Sequence, residues 1–145
     1  MYILDTDHLS LLGRADSPEA QRLRFRLAGF DMEERVTTII TFEEQMRGWM
    51  AHLARARLLA RQVEAYRRLK EFLDRYLKVT VLEFDEAAAD EFERLQGLRL
   101  RVGTMDLKIA AIALAHKATV LTRNIKDFGL VQELRVEDWT KESVE

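Results

Sequence analysis

Residues 106–124 read DLKIAAIALAHKATVLTRN. In the helical part of this stretch Ile109, Ala110, Ile112, Ala113 and Ala115 leave almost no polar side for water, so the helix, opened by Thr104-Met105-Asp106, is expected to be buried. Directly after His116-Lys117 the segment ATVLTR, 118–123, has the composition of a short apolar strand. A buried helix that hands the chain at once to an apolar strand implies a sheet covered by helices on both faces.

Working outward, similar short apolar strands are expected at 2–5, at 36–40 (VTTII) and at 78–84 (KVTVLEF), with a weaker one at 134–138 (LRVED). Helical patterns lie between them. Pro18 after Asp16-Ser17 marks a helix start, and that helix runs to Leu27. From Phe42 to about Leu77, Leu59, Val63, Tyr66, Leu69, Leu73 and Leu77 recur at helical spacing; the stretch is too long for one ordinary helix and should break into two. Another helix is expected from Asp85 to Leu98, ending near Gly97. Strands alternating with helices predict an α/β fold with a central parallel sheet, and no linker or low-complexity stretch divides residues 1–145 into more than one domain.

With 145 residues, 48% of them hydrophobic, the chain is long enough to bury roughly two-thirds of its unfolded surface. It has no Cys, which removes disulfides, thiolate nucleophiles and Cys-based zinc sites, and leaves oxygen and His as the available metal ligands. No run of about 18 apolar residues suggests a membrane span, and the first residues lack a signal-peptide pattern, so a cytoplasmic protein is expected. The net charge of −2 is unlike that of a general nucleic-acid binder. Its distribution is uneven: Arg47 to Lys78 carries nine bases against three acids, and Glu83 to Glu93 carries six acids and no base. Such runs are usually solvated helix faces, though a basic arm beside a polyanion site has the same appearance.

In a parallel α/β sheet ligands bind outside the carboxyl ends of the strands. Asp5 closes the first strand, a poor place for a β-former of its kind. Glu43 and Glu44 follow the second strand and are expected in the first turn of the next helix, Asp106 opens the buried helix, and Asn124 and Asp127 follow the fourth strand. These acids should meet on one rim. A cluster of carboxylates repels itself unless a divalent cation holds it, and Mg²⁺ or Mn²⁺ takes oxygen ligands. Thr6 and Thr122 are placed to orient a carboxylate or a water; the three histidines, His8, His52 and His116, lie apart in sequence, and His116 is expected only to cap its helix.

The segments ILDTDHLS, TTIITFEEQMRG, GTMDLKIAAIALAHKATVLTRNIKDFGLV and LRVEDW, in this order, resemble the PIN-domain ribonucleases, most closely the VapC-type toxins of bacterial toxin–antitoxin pairs. The resemblance implies a metal-dependent endoribonuclease in which Asp5, Glu44 and Asp106 ligate Mg²⁺ or Mn²⁺. Glu44, rather than Glu43, fits the family's Thr-x-x-Glu-x-x-x-Gly pattern, because it stands four residues before Gly48. The resemblance further implies an RNA substrate, a homodimer and a cognate antitoxin, for which Leu11, Leu12 and the Leu53 to Val63 segment offer apolar faces. Two positions depart from the family: Asp7 stands where many members have Asn, and Asn124 where a fourth acid is common. Asn124 and Asp127 therefore compete for the fourth position. A second cation needs negative charge, which assigns Asp127 to the edge of the site and leaves Asn124 to orient water.

Two other readings fit parts of the chain. ILDTD also matches the Asp-x-Asp start of haloacid dehalogenase-like phosphatases, without their Lys motif. A PIN-like domain that has lost activity and serves only in binding is the other, and Asn124 is the residue that favours it.

Overall fold

The computed structural model describes residues 1–13 and 16–142. Its strands are β1 (Tyr2–Leu4), β2 (Arg35–Thr38), β3 (Thr80–Leu82), β4 (Thr119–Leu121) and β5 (Arg135–Glu137), all parallel, in the order β3-β2-β1-β4-β5. The helices are α1 (Thr6–Leu12), α2 (Pro18–Leu27), α3 (Ile39–Arg55), α4 (Leu59–Tyr76), α5 (Glu86–Gly97), α6 (Thr104–His116) and α7 (Ile125–Phe128), with one 3-10 turn at Met32–Glu34. The chain builds β1, β2 and β3 outward in one direction, then crosses through α5 and α6 to lay β4 on the other side of β1. The strand order thus reverses between β1 and β4, the place where open α/β sheets bind ligands.

Period-two alternation assigns the two faces of the sheet. Ile3 and Val120 pack with Ile109, Ile112, Ala88 and Leu95 of α6 and α5, while Leu4 and Leu121 pack with Leu11, Leu23, Leu27 and Trp139 on the side of α1 and α2. Ile109 through Ala113 are completely buried, as the sequence of α6 requires, and its alanines let the helix lie close to both α5 and the sheet. At the end of α6 Lys117 takes a left-handed conformation (φ 53°) so that its N–H reaches Leu114 O and the N–H of Ala118 reaches Ala113 O, turning the chain sharply into β4. The closing residue is therefore Lys117, where the sequence pointed to His116.

Four expectations need correction. The second strand ends at Thr38 and not at residue 40, because Thr38 Oγ1 accepts from Thr41 N at 3.1 Å and caps α3, so Ile39 and Ile40 are helical despite their β-branched side chains. Glu43 and Glu44 consequently lie in the second turn of α3, out of reach of its N-terminal dipole. The Leu53 to Val63 segment is not a single apolar face, since it contains the break at 56–58 between α3 and α4. The predicted stripe on α4 is also largely open: Leu59, Val63, Tyr66, Leu73 and Leu77 are exposed, and Ala65, Phe72 and Tyr76 are the residues it buries. The acidic run at 83–93 is a solvated helix, with Asp85 capping α5 through Ala88 N and Glu91 pairing with Arg94. Among the described residues no helix is long and apolar enough to cross a membrane.

Candidate metal centre at the carboxyl rim

Strand pairing sets the site. Leu4 is in register with Leu121, and the backbone N–H of Asp5 continues the ladder to Leu121 O at 3.0 Å, so the first residues beyond β1 and β4 lie side by side. Thr122 is fixed from its other side by its N–H to Glu137 O. Its hydroxyl accepts the N–H of Asn124 at 3.0 Å and donates to Asp5 Oδ2 at 2.8 Å, with Asp7 Oδ2 at 3.3 Å as a weaker second acceptor.

Asp5 is buried, which, partly offset by the Thr122 bond and reinforced by repulsion from Asp7 and Asp106, pushes its carboxyl from an ordinary 3.8 up to about 6. Asp106, in the first turn of α6, is raised by burial and by the charges of Asp127 and Asp7. Glu44 is raised by burial, opposed by the Thr6 hydroxyl that donates to its Oε2 at 3.1 Å, and raised again by Asp106 and Glu43. The charge of Asp106, in the first turn of α6, thus acts both on Asp5, just past β1, and on Glu44, in the second turn of α3. Asp7 differs: burial would raise it, but the bonds from His8 and from the N–H of Arg123 at 2.9 Å bring it below its ordinary value.

Asn124 caps α7, and its amide nitrogen spans two acids, donating to Asp106 Oδ2 at 3.3 Å and Asp127 Oδ2 at 3.1 Å. The helical turn expected at NIKDF is present, and it places the carboxylate of Asp127 beside residue 124. All eight residues singled out from the sequence, Asp5, Thr6, Asp7, Glu44, Asp106, Thr122, Asn124 and Asp127, are joined by these bonds and charge contacts.

The donor set suits a hard divalent cation, being all oxygen, and among the described residues no Lys or Arg side chain hydrogen-bonds Asp5, Glu44 or Asp106. The side chains are not closed around one point, however. No three His, Asp or Glu among the described residues stand near enough together to enclose an ion, each carboxylate being tied instead to its own hydroxyl or amide.

His8 is the residue whose part the sequence did not reveal. It is completely buried, its Nε2 accepts the N–H of Trp139 at 3.1 Å, and its Nδ1 lies 2.7 Å from Asp7 Oδ1. An imidazole that accepts at Nε2 carries its proton at Nδ1, so His8 donates to Asp7 and fixes that carboxylate beside the site. The signal was present in its position directly after Asp7. A second network also escaped notice: Tyr76 donates to Gln45 Oε1 at 2.5 Å and Gln45 donates to Ser10 at 3.3 Å, tying α4, α3 and α1 together next to Glu44.

The family described as PIN domain matches residues 2–133. Among solved structures, a chain of FitAcB from Neisseria gonorrhoeae superimposes with a TM-score of 0.74 at 23% identity, covering 96% of this chain and 98% of that one. A chain of VapBC-1 from nontypeable Haemophilus influenzae gives a TM-score of 0.69 at 24% identity, covering 97% and 98%. A chain of DNA-bound VapBC from Salmonella typhimurium gives a TM-score of 0.69 at 23% identity, covering 95% and 97%. At these identities the superpositions show a shared fold. Comparison with curated protein sequences gives no significant match.

Proposed function

The chain belongs to the PIN-domain family, and from that premise we propose that it is a metal-dependent endoribonuclease, the VapC-type toxin of a toxin–antitoxin pair. The observation that carries this reading is the convergence of Asp5 and Glu44 on Asp106, whose charge acts on both, from three separate elements at the point where the strand order reverses. Nothing in the packing of a core calls for such an arrangement.

Asp5, Glu44 and Asp106 would hold Mg²⁺ or Mn²⁺, with Asp127 at the edge. Bound there, the cation supplies an acidified water and a Lewis acid for the phosphate oxygen. The chain's own part is positional. Thr122 restrains the carboxylate of Asp5, Thr6 restrains that of Glu44, and the Asn124 amide keeps Asp106 and Asp127 together against their repulsion. No Ser, Cys or His nucleophile takes part.

The reading extends to partners. The solved relatives named above are FitAcB and VapBC structures, and this chain leaves Leu59, Val63, Tyr66 and Leu73 of α4, and Leu77 just after it, open to solvent, which supports a homodimer and a cognate antitoxin as their covering. An RNA target places its action in the cytoplasm. A light-scattering mass of one chain across micromolar concentrations would count against the dimer.

A catalytically silent binding domain is favoured by Asn124 at the fourth position and by the separate tethering of each carboxylate. The test is incubation of labelled RNA with the protein and Mg²⁺ or Mn²⁺, with EDTA as one control and p-nitrophenyl phosphate as another. Internal cleavage of RNA that EDTA stops is expected. Hydrolysis of the nitrophenyl ester alone would point to a phosphatase, and no reaction with either substrate to the silent domain.

A further inference from the structure

We propose that the groove between α1, α3 and α4 holds the single-stranded RNA next to the scissile phosphate, with Arg68 and Arg75 meeting its backbone and Trp49 stacking on one base. This rests on the nuclease reading and adds the residues that grip the substrate.

The groove has a volume of about 630 Å³ and is lined in part by Thr6, the residue bonded to Glu44, so it borders the carboxylate rim. Its shape is fixed by the chain of bonds from Tyr76 through Gln45 to Ser10. Arg68 and Arg75 line the α4 wall two helical turns apart. Arg75 is exposed and has no ion pair among the described residues, whereas Arg47, Arg67 and Lys70 of the same basic segment are paired with acids on their own helices. Its guanidinium lies over the end of α1 because residue 13 is glycine: a Cβ there would stand 1.8 Å from Arg75 Nη1. Arg68 shares Glu64 with Arg67, an exposed contact that it can exchange for a phosphate at little cost.

Across the groove Trp49 is half-exposed, steadied by Phe72 at 6.3 Å and His52 at 5.9 Å between ring centroids. A cationic wall facing an aromatic platform is the pairing used for single strands, the charges following the backbone and the ring accepting any base. Glu71, the one carboxylate of this wall, is an acceptor suited to a ribose 2′-hydroxyl. A polyanion approaching a rim of acids needs cations along its path, and this groove supplies them.

The test uses the full chain carrying Asp106→Asn, to prevent turnover, and a fluorescein-labelled single-stranded RNA, with anisotropy followed over a range of salt. Arg75→Gln should lower affinity several-fold at low salt and flatten the slope of log K against log salt by about 0.7, the value for one phosphate contact on a single strand. Gly13→Ala should give a smaller loss of the same sign by displacing Arg75. Trp49→Ala should weaken binding roughly 5- to 150-fold, the equivalent of about 1–3 kcal/mol for one stacked base, and Trp49→Phe should recover most of it. RNA should quench tryptophan emission in the parent and not in Trp49→Phe, because Trp139, only 3% exposed, cannot be reached. Lys117→Gln, at the opposite rim, should leave the slope unchanged.

Affinity, slope and quenching all unaltered in Arg75→Gln and Trp49→Ala would overturn the proposal, even if the wild type cleaves RNA. Quenching by an acidic peptide and not by RNA would also overturn it and assign the groove to a protein. If the groove variants behave as expected while the wild type cuts no RNA, the nuclease reading fails and the groove stands.

Discussion

Thr122 donates its hydroxyl to Asp5 across 117 residues of sequence, at 2.8 Å and away from solvent. The bond exists because β1 and β4 are parallel neighbours in register, and it lowers the Asp5 carboxyl that burial raises. Thr122→Val keeps the shape and removes the donor. It should cost about 1.5–3 kcal/mol in urea unfolding, as for a hydrogen bond to a charged group, and weaken metal affinity or cleavage by about 10- to 100-fold. Cleavage by the variant should recover toward higher pH, since its Asp5 ionises later, and Thr122→Ser should restore the wild-type profile. A Val variant with an unchanged pH profile and metal titration would reduce Thr122 to a strand residue.

Asp5 sets the pH dependence of the metal-free protein. Its folded value, about 6, lies above the ordinary 3.8, so the folded chain binds the extra proton and the associated stability is complete below about 3.8 and lost as pH rises through 6. Glu44 and Asp106, also raised, act in the same direction. Asp7 acts oppositely, its contribution being lost only as pH falls below the ordinary carboxylate range. In EDTA the urea midpoint should therefore fall between pH 4 and 6, and Asp5→Asn should flatten that fall and be as stable as the wild type or more so at pH 7. Asp5→Asn and Asp106→Asn should both abolish cleavage. Wild-type cleavage by either would mean that the site is elsewhere.

Much of this was legible in residue order. The buried helix at 104–116, the helix at 18–27 and the acids after the strands are local patterns, and they fix the fold class and the rim. Contacts that depend on tertiary neighbours were not legible. Ile39 and Ile40 have strand character, yet a threonine cap worth about 1 kcal/mol and burial of Ile40 in the core put them in a helix. The α4 stripe has the period of a core face, but its leucines lie outside the core, and periodicity cannot tell a face buried within the chain from one left for a partner. The place of His8 beside Asp7 is visible in the sequence, but its second partner, the Trp139 N–H, is brought to it only by the turn after β5.

That contact gives a third prediction. His8→Leu leaves the buried Trp139 N–H unmet, at about 1–3 kcal/mol, and removes one donor from Asp7, whose partly exposed carboxylate water can still reach. Thermal stability should drop clearly, and emission should change because Trp139 packs against Tyr2 and Phe30 at 4.8 and 5.2 Å. Cleavage per folded molecule should fall far less than in Asp5→Asn. The reverse pattern, a stable and inactive His8→Leu, would give the imidazole a chemical role.

The fourth position offers the last prediction, because Asn124 does more than replace an acid. Its amide nitrogen donates to Asp106 at 3.3 Å and to Asp127 at 3.1 Å, so a neutral donor separates two carboxylates that repel. Asn124→Asp exchanges that donor for a third negative charge. In EDTA the variant should unfold at lower urea than the wild type, since like charges now meet with nothing between them. With Mn²⁺ the order should invert, the added carboxylate giving equal or tighter apparent affinity for activity and a larger thermal shift from the ion. Asp127→Asn should do the opposite, leaving the metal-free protein unharmed and raising the Mn²⁺ concentration needed for half-maximal cleavage. The pair of substitutions separates charge from geometry, for both change one atom type at the same edge. An Asp127→Asn enzyme with unaltered Mn²⁺ dependence would confine the site to Asp5, Glu44 and Asp106 and leave Asp127 a structural residue of α7, its N–H held by the Asn124 cap.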